Sequence, residues 1–247
     1  MAIKTTLNYS PNFNPNKRRA KQIKFIIFHY TGMEKESEAI NRLTNIQSEV
    51  SCHYLVKNNG EIVTIVPECY VAWHAGKSSW GNYKSLNKSS IGIEITNPGH
   101  EFNYKNFNKK QITSLLKLSK SLIKKYKINF KNILGHSDVA PERKKDPGEK
   151  FPWEYLSQNK VGLWHTIKKK ELLKNRKFKI NKMDSEIFFN NLFKIGYSKK
   201  IPKKLSKKDY LKSITKAFQR RFRQELTDGN TDKECLLVSQ NLLKNSH

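Results

Sequence analysis

With 247 residues the chain can build one sizeable core and a small second module, and no stretch of it is apolar for long enough to span a bilayer. Its 48 basic residues against 21 acidic give a net charge of +27, but lysine outnumbers arginine 40 to 8 and the excess is spread evenly, +19 over residues 1–180 and +8 over 181–247. A nucleic-acid surface more often concentrates charge and favours arginine, so this composition argues against a specific nucleic-acid partner and predicts only salt-screened attraction to anionic polymers.

Residues 1–22 form a polar N-terminal segment with Pro11 and Pro15 and no apolar run of signal-peptide length. Phe25-Ile26-Ile27-Phe28 reads as a buried strand that ends in His29-Tyr30-Thr31-Gly32. Residues 36–50 read as a helix, with Ser37 as its cap and Ile40, Leu43 and Ile46 as its apolar stripe. Residues 52–57 and 61–66 flank Asn58-Asn59-Gly60, a hairpin signal. Residues 70–90, with Trp73, His74, Gly76, Trp80 and Gly81, read as a surface loop. Residues 91–95 alternate as a strand that carries Glu94, and Gly92 within it predicts close backbone approach. Residues 109–128 form the clearest helix, apolar on one face and lysine-rich on the other. Residues 132–134 are a short strand leading into His136.

Gly135-His136-Ser137-Asp138 runs through Ala140 and Pro141 to Lys144, Asp146, Pro147 and Gly148. The prolines and glycine predict an irregular polar loop there. Residues 168–182 are densely charged. Beyond them, 184–194 and the runs after Ser206 and Thr231 read as three helices, the last two opened by capping patterns. The expected architecture is α/β, a central mixed β-sheet flanked by helices, with a small C-terminal all-α, three-helix domain. The expected divisions are 1–22, a catalytic unit with linker at 23–180, and a helical unit at 181–247. Cys52, Cys69 and Cys235 are odd in number and lack CxxC spacing, which predicts free thiols rather than a disulfide framework.

His29, Glu94 and His136 would all lie at strand ends, where sites on such sheets are commonly built. Two imidazoles and a carboxylate suit a catalytic zinc, leaving a fourth position for water. His29 and His136 supply the nitrogens, and the oxygen comes from either Asp138 or Asp146. Glu94, on an otherwise apolar strand, reads from the residues alone as a carboxylate that is partnered or exposed at the strand end, and Lys144 is one lysine among many with little local signal of a role. The Trp73-His74-Ala75-Gly76 loop could line a glycan or peptide groove, and His53 reads as a core histidine. His100, His165 and His247 have no supporting cluster.

Phe28-His29-Tyr30-Thr31, Ser51-Cys52-His53-Tyr54, Ala72-Trp73-His74-Ala75-Gly76, Ile91-Gly92-Ile93-Glu94 and Gly135-His136-Ser137-Asp138 through Asp146-Pro147-Gly148 occur in that order. As a set they resemble the type 2 N-acetylmuramoyl-L-alanine amidases, zinc amidases of the AmpD and AmiD kind related to phage amidases and peptidoglycan recognition proteins. The resemblance covers about residues 20–160. It implies one Zn²⁺ per chain on His29, His136 and Asp146, with Asp138 off the metal. It also implies Glu94 and Lys144 as catalytic side chains, the first as general base and the second as oxyanion partner. The expected substrate contacts are Trp73, His74 and Ala140. The implied partners are peptidoglycan or muropeptides, cleaved between the muramoyl lactyl group and L-alanine. A noncatalytic peptidoglycan receptor is the alternative. Ala217-Phe218-Gln219-Arg220-Arg221-Phe222 and Asp228-Gly229 resemble a peptidoglycan-binding module. Such a module points to the cell envelope, and the polar N-terminus to the cytoplasm as the alternative.

Overall fold

The structure, a computed structural model, describes residues 4–244. The chain runs β1 (Thr6–Leu7), β2 (Phe13–Asn14), β3 (Phe25–Tyr30), α1 (Glu36–Thr44), β4 (Tyr54–Val56), β5 (Ile62–Thr64), β6 (Val71–Ala72), β7 (Ser79–Trp80), β8 (Tyr83–Lys84) and β9 (Ser90–Ile95). It continues through α2 (Lys109–Tyr126), β10 (Ile133–Gly135), α3 (His136–Val139), α4 (Trp153–Gln158), α5 (Lys169–Asn175), α6 (Lys182–Ile195), α7 (Lys207–Phe222) and α8 (Lys233–Lys244). Six strands form one sheet in the order β1-β5-β4-β9-β3-β10. Only the β4–β5 hairpin is antiparallel; the other neighbours are parallel, so the sheet is mixed as expected.

β3 is apolar without alternation because both faces of the sheet are covered there. Ile26 and Phe28 pack with Ile91, Ile93 and Ile95 of β9 against Leu115, Leu118 and Leu122 of α2. Phe25 and Ile27, on the opposite face, pack with Leu134 and Val139 against Ile214, Phe218 and Phe222 of α7. The C-terminal helices therefore share a core with the sheet. Trp80 also enters that core and lies so close to Gly196 that a Cβ there would be 2.2 Å from its ring.

Asn108 caps α2 through a hydrogen bond from Gln111 N–H, and Asn181 and Ser206 cap α6 and α7 in the same way. Four local expectations need correction. α1 stops at Thr44, Lys35 precedes it without a side-chain cap, and Ser37 lies inside it, while Ile46 is 68% exposed instead of extending the stripe. Asp232, one residue beyond Thr231, accepts the Cys235 N–H at the start of α8. The 70–90 loop contains the two-residue ribbons of β6, β7 and β8. The loop after β10 begins with one helical turn, α3, because its prolines lie farther on and leave residues 136–139 free to coil. The three cysteines are free. Among the described residues no helix is long and apolar enough to cross a membrane.

Candidate active site

Strand pairing assembles the site. β3 and β9 run parallel with His29 directly beside Glu94, and β10 pairs on the other side of β3 so that His136 follows just beyond Gly135. The chain then loops back from α3, and Ser137 N–H donates to Asp146 O at 2.8 Å, which returns Asp146 to the two histidines.

His29 Nδ1, His136 Nδ1 and Asp146 Oδ2 form a triangle with every edge 3.0 Å. All three side chains are buried. A tetrahedral ion with bonds of about 2.0–2.1 Å has donor–donor edges of roughly 3.3 Å, so this triangle fits one with a small expansion. Burial and the neighbouring His136 lower the His29 pKa to about 4, against the opposing pull of Asp146. Burial alone would raise Asp146, but the hydrogen bonds and charges of His136 and His29 hold it well below the usual carboxylate range. At neutral pH a neutral His29 and an ionised Asp146 are the protonation states that metal ligation requires. This buried group can therefore bind a metal ion.

Of the two aspartates left open by spacing, Asp146 lies with the histidines and Asp138 faces away. Asp138 Oδ2 accepts from Gly135 N–H at 2.8 Å and from Arg221 Nη1 at 2.7 Å, and Oδ1 accepts from the Tyr197 hydroxyl at 2.8 Å. Glu94 lines the same cleft, and its Oε2 is buried without a hydrogen-bond partner. Burial and the Asp146 charge push the Glu94 carboxyl well above its usual range, with Lys144 opposing. Lys144 is half-buried and lines the same cleft, its backbone N–H held by Ala140 O at 3.0 Å. The cleft has a volume of about 570 Å³. Glu34, Glu38 and Glu101 lie on its lining together with Arg42, Arg143 and Lys145.

The remaining sequence candidates are placed differently from one another. Trp73 is half-buried in the cleft wall, with Nε1 donating to Asn14 Oδ1 at 3.0 Å. His74 is buried, and its Nδ1 lies 3.0 Å from His29 Nε2. Ala140 is 1% exposed and donates its N–H to His136 O within the turn. His53 is fully buried, and its Nδ1 accepts the Gly92 N–H at 2.9 Å, as a core histidine should.

Tyr30, His100, Glu149, Arg221 and Tyr197 carry contacts that sequence patterns did not reveal. The Tyr30 hydroxyl lies 2.9 Å from His100 Nδ1, and His100 Nε2 lies 3.0 Å from Glu149 Oε2. This row ties the end of β3 to the loop after Asp146. Burial, with the Asp146 charge, raises the Tyr30 pKa to about 12, so its hydroxyl keeps its proton beside His100. His100 sits 49 residues from Glu149 and 70 from Tyr30, and no local spacing signals either contact.

The sequence model of the N-acetylmuramoyl-L-alanine amidase family matches residues 19–149, which include the donor triangle, Glu94 and Lys144. The curated amidase AmiD of Escherichia coli K12 is 34% identical over 235 residues, covering 90% of this chain and 83% of that protein. The solved complex of E. coli AmiD with anhydro-N-acetylmuramic acid-L-Ala-D-gamma-Glu-L-Lys superposes with a TM-score of 0.79 at 32% identity, covering 91% of this chain and 90% of that one. AmpDh3 of Pseudomonas aeruginosa, solved with anhydromuramic pentapeptide, gives a TM-score of 0.78 at 29% identity over 94% of each chain. These likenesses extend beyond the sheet into the C-terminal helices, and the chain belongs to the N-acetylmuramoyl-L-alanine amidase family.

Proposed function

We propose that this amidase is a zinc hydrolase of muropeptides, with His29, His136 and Asp146 as ligands, Glu94 as general base and Lys144 as oxyanion partner. The observation that carries the reading is the closed triangle of donors beside a buried carboxylate oxygen that has no protein partner. Zinc held by the three donors would supply Lewis-acid polarisation of water and of the scissile carbonyl at neutral pH. Glu94 then accepts the proton of the attacking water and returns one to the leaving amine of L-alanine. Its raised pKa in the metal-free protein follows from burial, and a nearby dication would draw it back toward the working range. The Lys144 ammonium stabilises the oxyanion as the carbonyl becomes tetrahedral.

The complexes of AmiD and AmpDh3 with anhydromuramoyl peptides support a substrate of that class. The mixed charges lining the cleft are suited to a peptide that carries both carboxylates and an ammonium. In this reading residues 23–180 form the catalytic unit and 181–247 a helical unit that supports it. Contact of that unit with wall polymer is proposed from its resemblance at 217–222 and its net charge of +8. The test is incubation with intact sacculi and with soluble anhydromuropeptides, with products identified by mass. Release of stem peptides with a free L-alanine amine is expected, abolished by a chelator and restored by zinc. Tight binding without release would make the chain a receptor instead.

A further inference from the structure

Metal ligation through Nδ1 leaves an imidazole's proton on Nε2, and the group that accepts this proton sets the ring's tautomer and rotation. Both histidines of the triangle find that partner on one short loop, Trp73-His74-Ala75-Gly76. His29 Nε2 lies 3.0 Å from His74 Nδ1, and His136 Nε2 lies 3.2 Å from Ala75 O.

The direction of each hydrogen bond follows from what each partner can do. Leu86 O can only accept, so the Ser90 hydroxyl donates to it at 2.6 Å. Ser90 Oγ then accepts from His74 Nε2–H at 3.1 Å. A neutral imidazole protonated at Nε2 has its lone pair on Nδ1, so His74 Nδ1 accepts from His29 Nε2–H. His29 Nδ1 is left unprotonated and faces His136 and Asp146. The row runs from a backbone carbonyl to the donor triangle with every polar hydrogen assigned. Ala75 O, which can only accept, favours the same tautomer on His136 at 3.2 Å over the longer 3.4 Å contact from the Arg143 Nη2 donor.

The loop is held so that this geometry persists. Asn87 Oδ1 accepts from both His74 N–H at 3.2 Å and Ala75 N–H at 2.7 Å. Ser51 Oγ accepts from Trp73 N–H at 2.9 Å, and Arg143 Nη2 donates to Ala75 O at 2.5 Å. The His74 ring lies flat enough on β9 that a Cβ at Gly92 would be 2.3 Å from its Cγ. The glycine in that strand makes room for this ring.

We propose that the 73–76 loop is the positioning element of the metal centre, and that His74, acting through Ser90, sets the tautomer of His29 and thereby metal affinity. The proposal rests on the zinc reading above. It assigns His74 a positioning role rather than a substrate contact.

The test uses the full-length protein. Zinc affinity is measured by competition with a chromophoric chelator, and histidine tautomers by long-range ¹H–¹⁵N NMR. In the wild type, His29 and His74 should both carry the proton on Nε2. His74→Ala should weaken zinc by about 10–100-fold, the usual effect of losing such a partner. His74→Asn keeps an acceptor near the position of Nδ1 and should recover most of that loss. Gly92→Ala keeps His74 but displaces its ring, and should weaken zinc as well. A proton on His74 Nδ1 would overturn the proposal. So would zinc affinity within about twofold of wild type in folded His74→Ala and Gly92→Ala. Should His74→Ala not fold, Gly92→Ala and the wild-type tautomers decide. Should the wild type take up no zinc, the metal reading fails by itself, and the His74 tautomer in the metal-free protein still decides the relay.

Discussion

Asp138 and Arg221, 83 residues apart in the chain, form a buried ion pair at 2.7 Å that joins the active-site turn to the C-terminal helices. Arg221 also donates to Ile133 O at 3.0 Å, on the strand that delivers His136. Its guanidinium lies 4.3 Å from the centre of the Trp153 ring. The residue three before the proposed ligand His136 and the residue two after it are thus braced by a helix that begins 71 positions later.

Removing one member of that pair leaves the other charge buried and alone. Arg221→Met should destabilise the protein by about 3–5 kcal/mol, measured by denaturant unfolding. A chain ending at residue 180 loses the cover over Phe25, Ile27, Leu134 and Val139 and should aggregate rather than fold. A soluble, cooperatively folding truncation would show that the sheet does not depend on the helices.

The ligand assignment separates the two aspartates. His29→Ala, His136→Ala and Asp146→Ala should each abolish stoichiometric zinc, read by elemental analysis of the purified protein. Asp138→Asn should keep one zinc per chain while lowering stability, because its carboxylate contacts Arg221 and Tyr197 rather than the triangle. Zinc lost from the Asp138 variant but retained by the Asp146 variant would reverse the assignment.

Binding and chemistry separate at Glu94. Glu94→Gln keeps the shape of the side chain and removes the base, so zinc content and substrate affinity should persist while kcat falls by roughly 10²–10⁴. Lys144→Met should lower kcat more than it raises KM, since the charge it stabilises develops only in the transition state. Turnover near wild type in the Glu94 variant would remove that residue from the mechanism.

Stability of the metal-free protein should depend on pH. Burial, with the neighbouring His136, lowers the His29 pKa to about 4, and burial also holds His53 and His74 well below their ordinary value. The unfolded chain protonates these groups near 6.5, so it binds more protons than the native state below that pH. The stabilisation is complete above about pH 6.5 and is lost as pH falls toward 4. Urea midpoints should decline over that interval in the metal-free protein. A flat profile between pH 7 and 5 would count against neutral, buried histidines.

Much of this architecture was legible locally. β3 was readable from four consecutive apolar residues, α2 from its stripe, and α7 from the Ser206 cap, because each signal lies within one or two turns of chain. Gly92 predicted close backbone approach, and the group packed against it is a side chain, the His74 ring. Ser37 failed as a cap, because a residue inside the first turn cannot serve the N–H groups that Lys35 precedes. His74 lies on the cleft lining and also against His29, and an aromatic beside a histidine on a glycine loop carries no signal for that second contact.

The sequence by itself determined the residue types of the site and the strand ends that carry them, since side-chain chemistry and periodicity are properties of short segments. It also carried the family motifs at His29, Glu94, His136 and Asp146. Residue spacing left Asp138 and Asp146 open and the family motifs pointed to Asp146; the tertiary structure supplies the physical reason, since both belong to one loop and the path of that loop determines which carboxylate returns to the histidines. Only it revealed that the C-terminal helices complete the core, because an apolar helix face has the same spacing whether it meets another helix or a sheet. The partners of His29 lie 45, 107 and 117 residues away, and hydrogen bonds across such separations are set by packing, on which local spacing carries no information.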